Sequence, residues 1–442
     1  MIYLFYTYFM GDVMNNNLLK FIENSPTAFH AVENVKAELK ALGFTELYEG
    51  LKWNIEKGKS YFVSRNNSSL IAFKVPEGDF KGFMISATHS DSPAFKIKEN
   101  PELKDKFYTR LSVEKYGGMI DSTWLDRPLS IAGRVLVKTE NGVSTKLVNF
   151  KEPVAIIPNV AIHLNRKANE GNALNAAVDL LPVVGVAKDE SKCFLSAVAE
   201  RADVNESDIL SSDLFLYNRE KGYEWGDFVS SPRLDDLQCV YASLKAFENS
   251  EAKCSMPVLA VFDNEEVGSS TKQGADSTFM KFALKKISYA MGLNEADFAD
   301  KIAGSFMLSC DNAHGVHPNH SEMTDSNHQC TLNGGVVVKF NANQSYCTDG
   351  VTSAILRRIS ENAGVPTQAY TNRADIRGGS TLGNIANTQL SMLSADIGLA
   401  QFAMHSSYET AGSKDTEYMV KLLEAFFASA IEIKADGELE IL

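Results

Sequence analysis

Four apolar runs in this chain end on residues that ionise. KGFMISAT leads into His89 and, two residues on, Asp91; VLAVF leads into Asp263, Glu265 and Glu266; SFMLSC leads into Asp311; and GLAQFAM leads into His405. A further acid, Asp235, opens the segment LDDLQ. In open α/β sheets ligands bind outside the carboxyl ends of the strands, so a shared strand-end position would let these side chains converge in one crevice. Two imidazoles and several carboxylates without a thiolate suit zinc, manganese or cobalt, and a single carboxylate can bridge two such ions with its two oxygens. Two divalent cations would also make it tolerable to gather so much negative charge, including the adjacent pair Glu265 and Glu266.

Taken singly, each residue has a plainer reading. A lone Glu-Glu pair is usually hydrated surface. His89 could be a hydrogen-bonded loop histidine, Asp235 a helix-start acid favoured by the dipole, Asp311 a turn cap, and His405 a packing residue. The common placement at strand ends is what sets the metal reading above these. HGVHPNH, with His314, His317 and His320, has more histidines but less convincing spacing, because Pro318 breaks any helix that would stack the three rings. These histidines read as loop residues, one of which could stabilise developing charge.

The elements that must position these groups alternate. Apolar positions at helical spacing run from Leu18 to Leu42, with Gly43 as a stop. KGFMISAT, MPVLAVFD, GSFMLSCD, GGVVVKFN and LSMLSAD read as buried strands. LDDLQCVYASLKAF, VTSAILRRISENAG and EYMVKLLEAFFASAIEI read as amphipathic helices. Between about Phe95 and Ser231 the texture turns to β: LSIAGRVLVKTENGVSTKLVNF has two strand-like runs about Asn141-Gly142, a dipeptide suited to a primed turn with positive φ, and PVAIIPNVAIHL adds an extended stretch. The expected fold is a three-layer α/β/α domain, residues 14–92 and 233–442, interrupted by a β-rich unit over 93–232.

Composition narrows the partners. The chain has 442 residues and a formal net charge of −13, and no run of Lys and Arg forms a basic stripe, which argues against nucleic acid and anionic membranes. Its six cysteines are scattered singly, as expected of a reduced, cytoplasmic setting. The opening MIYLFYTYFMGDVM lacks a basic flank and falls short of the roughly 20 residues that span a bilayer, and Met14 is the expected start.

Seven stretches, in order, resemble the aspartyl aminopeptidase family of dinuclear zinc exopeptidases: ATHSDSPAFKIK, STWLDRPLS, SPRLDDL, FDNEEVGS, SCDNAHGVHPN, GGSTLGNI and AMHSSYE, spanning residues 87 to 409. The resemblance implies that His89 and Asp311 hold one metal and Glu266 and His405 the other, with Asp235 bridging. It makes Asp91 the partner that orients His89, Glu265 the general base, and His314 a donor to the oxyanion. It implies two divalent ions, zinc with manganese or cobalt as alternatives, acting on peptide substrates. Lys339, in GGVVVKFN, would meet an acidic side chain at the substrate N-terminus, and its plainer reading is an edge lysine protecting a strand. The family forms a tetrahedral dodecamer, a homo-oligomer built through the β unit, in which His163 of NVAIHLNR would complete a neighbour's site.

RADIRGGSTLG departs from the RNDxPCGxTxG form of eukaryotic members, with Arg377 and Gly378 in place of Pro-Cys, which touches substrate preference more than the metal residues. Broad or leucine-type specificity is therefore the alternative within the same chemistry. A non-catalytic assembly protein is the alternative of another class, disfavoured because a scaffold has no use for an acid beside a bridged pair. A dinuclear phosphatase lacks the Lys or Arg cluster that a phosphoryl group would need.

Overall fold

The structure, a computed structural model, describes residues 2–187 and 193–442, with side chains from residue 13 onward. Its principal sheet has nine strands, in the spatial order Thr45–Leu47, Ser60–Arg65, Ser69–Lys74, Met256–Phe262, Phe83–His89, Phe306–Cys310, Leu393–Gly398, Val336–Phe340 and Thr367–Thr371. The four central strands, from Met256–Phe262 to Leu393–Gly398, run parallel, so their carboxyl ends open on the same edge. Every residue of MPVLAVF and of FMISATH is buried, as expected for strands covered on both faces.

Alternation along one strand separates two cores. Leu259 and Val261 join a cluster with the helices Ala28–Ala41, Leu234–Asn249 and Asp415–Ala428, whereas Val258, Ala260 and Phe262 join one with Phe279–Ala290, Glu295–Ala303 and Leu382–Gln389. Successive side chains of a strand point to opposite faces, so this partition defines helices on both sides of the sheet. The expected three-layer α/β/α architecture is present.

A separate six-stranded sheet lies between the first and second parts of this domain in sequence. Its order is Gly142–Asn149, Leu129–Thr139, Ile209–Asn218, Ala94–Lys104, Tyr108–Tyr116 and Val183–Val186, with antiparallel neighbours throughout and its own core around Phe95, Trp124, Ile131 and Leu216. The strands Tyr223–Trp225 and Phe228–Ser231 do not join it; Phe228–Ser231 pairs instead with Glu409–Gly412.

Several local expectations are corrected. The helical pattern from Leu18 to Leu42 is two helices, Ile2–Asn24 and Ala28–Ala41, parted at Ser25-Pro26, where the proline ring excludes helical continuation. Gly43 does follow the second helix, at φ +84°. In the hairpin, Thr139 pairs with Gly142, so Glu140 and Asn141 form the turn; Gly142 belongs to the strand, and neither Asn141 nor Gly142 takes a positive φ. PVAIIPNVAIHL forms only isolated bridges at Ala155, Ile156 and Ile157 before entering a loop, its two prolines each removing a ladder donor.

Candidate metal and catalytic site

His89 is the last residue of its strand, Asp311 follows the adjacent parallel strand, and Glu265 and Glu266 follow the strand on the other side. Asp235 comes from the start of the Leu234–Asn249 helix, where Asp235 and Asp236 both have non-helical φ/ψ, so neither is an ordinary first-turn acid. The peptide joining them is cis. His405 lies on the loop between the short strands Ala400–Phe402 and Glu409–Gly412, at φ +66°.

These six side chains meet. Asp235 Oδ1 is 3.4 Å from His89 Nε2, and Asp235 Oδ2 is 3.4 Å from His405 Nε2. His89 Nε2 is also 3.7 Å from Asp311 Oδ1, and His405 Nε2 is 3.4 Å from Glu266 Oε2. Asp235 thus stands between a His89–Asp311 half and a His405–Glu266 half, with one oxygen toward each imidazole. Glu265 offers an oxygen to the same region, grouped with His89 and Glu266.

The second ring nitrogens are fixed from behind. His89 Nδ1 lies 3.1 Å from the Asp91 carbonyl oxygen and His405 Nδ1 2.7 Å from that of Gly118, contacts that assign the proton to Nδ1 and leave Nε2 for the cluster. Asp91 has a further task. Its two carboxylate oxygens accept the backbone N–H groups of Glu265 and Glu266, each at 3.2 Å, and Oδ2 also accepts the Tyr116 hydroxyl at 2.6 Å. The two glutamates occupy a 3₁₀ turn, Glu265–Val267, bounded by Asn264 and Gly268 at positive φ.

Four further residues, none of them among those expected from the sequence, support the site. Asp236, fully buried, accepts the His89 backbone N–H through Oδ2 at 3.1 Å. Glu409 accepts the backbone N–H groups of Asp235 and His405, at 3.1 and 2.8 Å. Tyr116 and Gly118 reach the site from the six-stranded sheet and the turn after it. For the two acids a signal existed: LDDL repeats the adjacent-acid pattern of NEEV, and Glu409 closes AMHSSYE.

The electrostatics ask for cations. Burial raises the Glu265 carboxyl to about 8, with the charges of Asp311, Asp91 and Asp235 adding to the effect. Burial, then Asp235, pushes Glu266 well above the carboxylate range. Burial would lower His405, but Asp235 and Glu266 override it and bring the imidazole to about 10. Protons are thus drawn to a cluster too negative to stand alone. Asp235 Oδ1, Asp236 Oδ1 and Glu266 Oε1 are buried without a hydrogen-bond partner, which in a folded interior is costly unless something else satisfies them. Borderline-soft divalent cations fit this donor set of imidazole and carboxylate.

The remaining expected residues divide. Lys339, buried on its strand, lies 3.2 Å from Asp311 Oδ2 and donates to the Asn312 carbonyl at 2.7 Å. His314 borders the site, close enough for the charges of Lys339, Asp235, His405 and Asp311 to act on it; crowding by the protein, then Lys339, lowers its pKa and favours the neutral ring. His317 and His320 lie with ring centroids 5.1 Å apart, tilted by 38°, in an exposed loop, and neither joins a candidate metal group among the described residues. His163 is exposed on a loop of the six-stranded unit and takes no part in the cluster of its own chain.

Comparison with known proteins places this geometry in a class of metallopeptidases. The profile described as Aminopeptidase I zinc metalloprotease (M18) matches residues 21–427. A probable M18 family aminopeptidase 2 of Clostridium novyi is 46% identical over 423 residues, covering 93% of this chain and 98% of the relative. Among solved structures, the chain resembles that in a cryo-EM structure of the Ape4 and Nbr1 complex, with TM-score 0.92, 35% identity and coverage of 95% of this chain and 86% of that one. It also resembles the mApe1 dodecamer of S. cerevisiae, with TM-score 0.82, 28% identity and coverage of 95% and 97%. The chain belongs to the M18 family of zinc aminopeptidases, and it is a metal-dependent exopeptidase. Among the described residues, no helix is long and apolar enough to cross a membrane.

Proposed function

We propose that this aminopeptidase removes N-terminal Asp or Glu from peptides by attack of an activated water at a two-metal site. The observation that carries the reading is the placement of Asp235, whose two oxygens face two different imidazoles. His89 and Asp311 would hold one ion, Glu266 and His405 the other, and Asp235 both. When bound there, zinc ions supply Lewis acidity and a water of lowered pKa.

The chain's own residues do the rest. Glu265, the acid left without a ligand role, takes a proton from the attacking water and delivers it to the departing amine. Asp91, by accepting both amides of the 3₁₀ turn, keeps Glu265 in reach while Glu266 faces the cluster. His314 donates toward the oxygen on which negative charge builds.

Lys339 supports the acidic preference. An ammonium group has three donors, and the contacts with Asp311 and Asn312 leave one for a substrate carboxylate. The same contacts favour a second reading, in which Lys339 serves Asp311 and specificity is broad or leucine-like.

Residues 93–232 would form the assembly unit and 14–92 with 233–442 the catalytic domain. Exposed Val160, Ile162 and Leu164, the last 84% exposed, surround His163 and suit a contact through which it would enter a neighbouring subunit's site. Likeness to a dodecameric relative supports a homo-oligomer, read as a tetrahedral dodecamer in a cytoplasmic setting.

Hydrolysis of Asp-, Glu- and Leu-p-nitroanilides with and without a chelator tests the whole reading. Chelation is expected to abolish turnover, and Glu265→Gln to lower kcat by about 10²–10⁴-fold with zinc retained. Activity that survives chelation removes the metal mechanism. If Lys339→Met leaves the Asp-to-Leu ratio unchanged, the broad-specificity reading stands instead.

A further inference from the structure

The buried carboxylate of Asp396 sits beside Lys339 and has no ion-pair partner among the described residues. It lies in the central strand Leu393–Gly398, directly opposite Lys339 in the antiparallel pairing, and directly opposed residues project to the same face of a sheet. Its oxygens are shared between two loops. Oδ2 accepts the Cys347 backbone N–H, and Oδ1 accepts the Thr381 hydroxyl. The Asp396 backbone N–H donates to the Thr348 hydroxyl at 2.8 Å.

One loop meets Lys339 itself, and the other packs against Asp396 and the strand that leads to Asp311. The first carries Tyr346, whose ring centroid is 5.6 Å from Lys339 Nζ. The second is the GGSTLG stretch, in which Gly383 packs so tightly that an added Cβ would stand 2.6 Å from Asp396 Oδ1, 2.8 Å from Ser309 Cβ and 2.9 Å from Cys347 Sγ. Ser309 lies two residues before Asp311. At Gly383 there is no room for even a methyl group between these segments, so losing a bond to Asp396 would shift the segments together rather than an isolated side chain.

We infer that Asp396 is a positioning residue for substrate selection: by tying the Cys347–Thr348 and Thr381 segments to the strand beside Lys339, it sets the pocket that receives the acidic side chain of the substrate N-terminus. The inference rests on the acidic-specificity reading above. Asp396 itself touches no reacting atom. An amide in its place can accept one of the two donors but presents its own N–H₂ to the other.

The test uses the full-length zinc-loaded oligomer and the ratio of kcat/KM for Asp-p-nitroanilide to that for Leu-p-nitroanilide. Asp396→Asn is expected to lower this ratio about tenfold, chiefly through KM for the acidic substrate, with zinc content per chain unchanged. Thr381→Val, which removes one hydroxyl at nearly constant volume, is expected to lower it about threefold and serves if Asp396→Asn does not fold. A merely structural role would lower thermal stability and both substrates' rates together, leaving the ratio within twofold of wild type, and that result overturns the inference. A wild-type ratio above one that Lys339→Met abolishes, but that both variants leave intact, sinks this inference alone. A wild-type ratio at or below one sinks the acidic reading and this inference with it.

Discussion

The two halves of the candidate metal site are built in different ways. His89 and Asp311 stand at the ends of neighbouring parallel strands, and the His89 side chain is only 1% exposed. Their separation follows from strand spacing, a property of the sheet itself. Glu266 and His405 stand on a 3₁₀ turn and a loop, and the His405 side chain is 32% exposed. No strand pairing sets this second pair: Asp91 accepts the Glu266 amide and Glu409 the His405 amide. The six-stranded unit then holds the His405 loop: Gly118 receives His405 Nδ1, the Ile120 N–H donates to the His405 carbonyl at 3.0 Å, and the Ser407 N–H donates to Thr123 Oγ1 at 2.9 Å. One half is set by secondary structure and the other by tertiary contacts that tie a turn and a loop in place, some of them from a different sheet.

Asp235 is common to both halves, so its loss should be the most damaging. Asp235→Asn is expected to empty both positions and lower turnover by more than about 100-fold, read by metal analysis and steady-state rates. Next in size is a split between the halves. His405→Gln should leave one zinc per chain and a folded enzyme, whereas His89→Gln should lower the melting temperature as well, because it leaves Asp236 and Asp235 crowded in a dry interior. Equal zinc loss and equal melting temperatures in the two variants would erase the distinction.

A gentler perturbation acts from the six-stranded side. Gly117 has φ +79°, and a Cβ there would come within 3.1 Å of Glu266 Cβ. Gly117→Ala should weaken zinc at the loop half by about 10–100-fold, the range seen when outer contacts of a metal site are lost, and leave the strand half loaded. Stepwise chelator titration followed by metal analysis separates the two.

The smallest effect concerns the ground beneath the strand half. His30 feels the charge of Arg233, itself two residues before Asp235, and is lowered to about 4 by burial and then by that charge. The folded chain keeps this ring neutral, whereas the unfolded chain protonates it near 6.5. Its contribution is therefore complete above pH 6.5 and is lost as pH falls toward 4, by on the order of 2 kcal/mol. His30→Gln should flatten the decline in unfolding free energy between pH 6.5 and 4, measured by denaturant titration at several pH values.

This contrast explains what the sequence could reveal. The strand-end acids and His89 were legible because an apolar run that stops on a charged residue marks both a strand and its exit. His405 was legible by the same token, although its loop conformation was not. Tyr116, Gly118 and Thr123 were invisible, since they meet Asn264, His405 and Ser407 across more than a hundred residues, in part through backbone atoms that any side chain could accompany. The Asn141-Gly142 turn failed for a related reason: pairing along Leu129–Thr139 and Gly142–Asn149 fixed the register one residue away from the dipeptide's own preference.

Asp91 carries a consequence of its own. A single carboxylate grips two consecutive amides, so Glu265 and Glu266 share one point of attachment. The spacing between the proposed proton carrier and the proposed metal ligand is thereby tied to one anchor at the end of a buried strand.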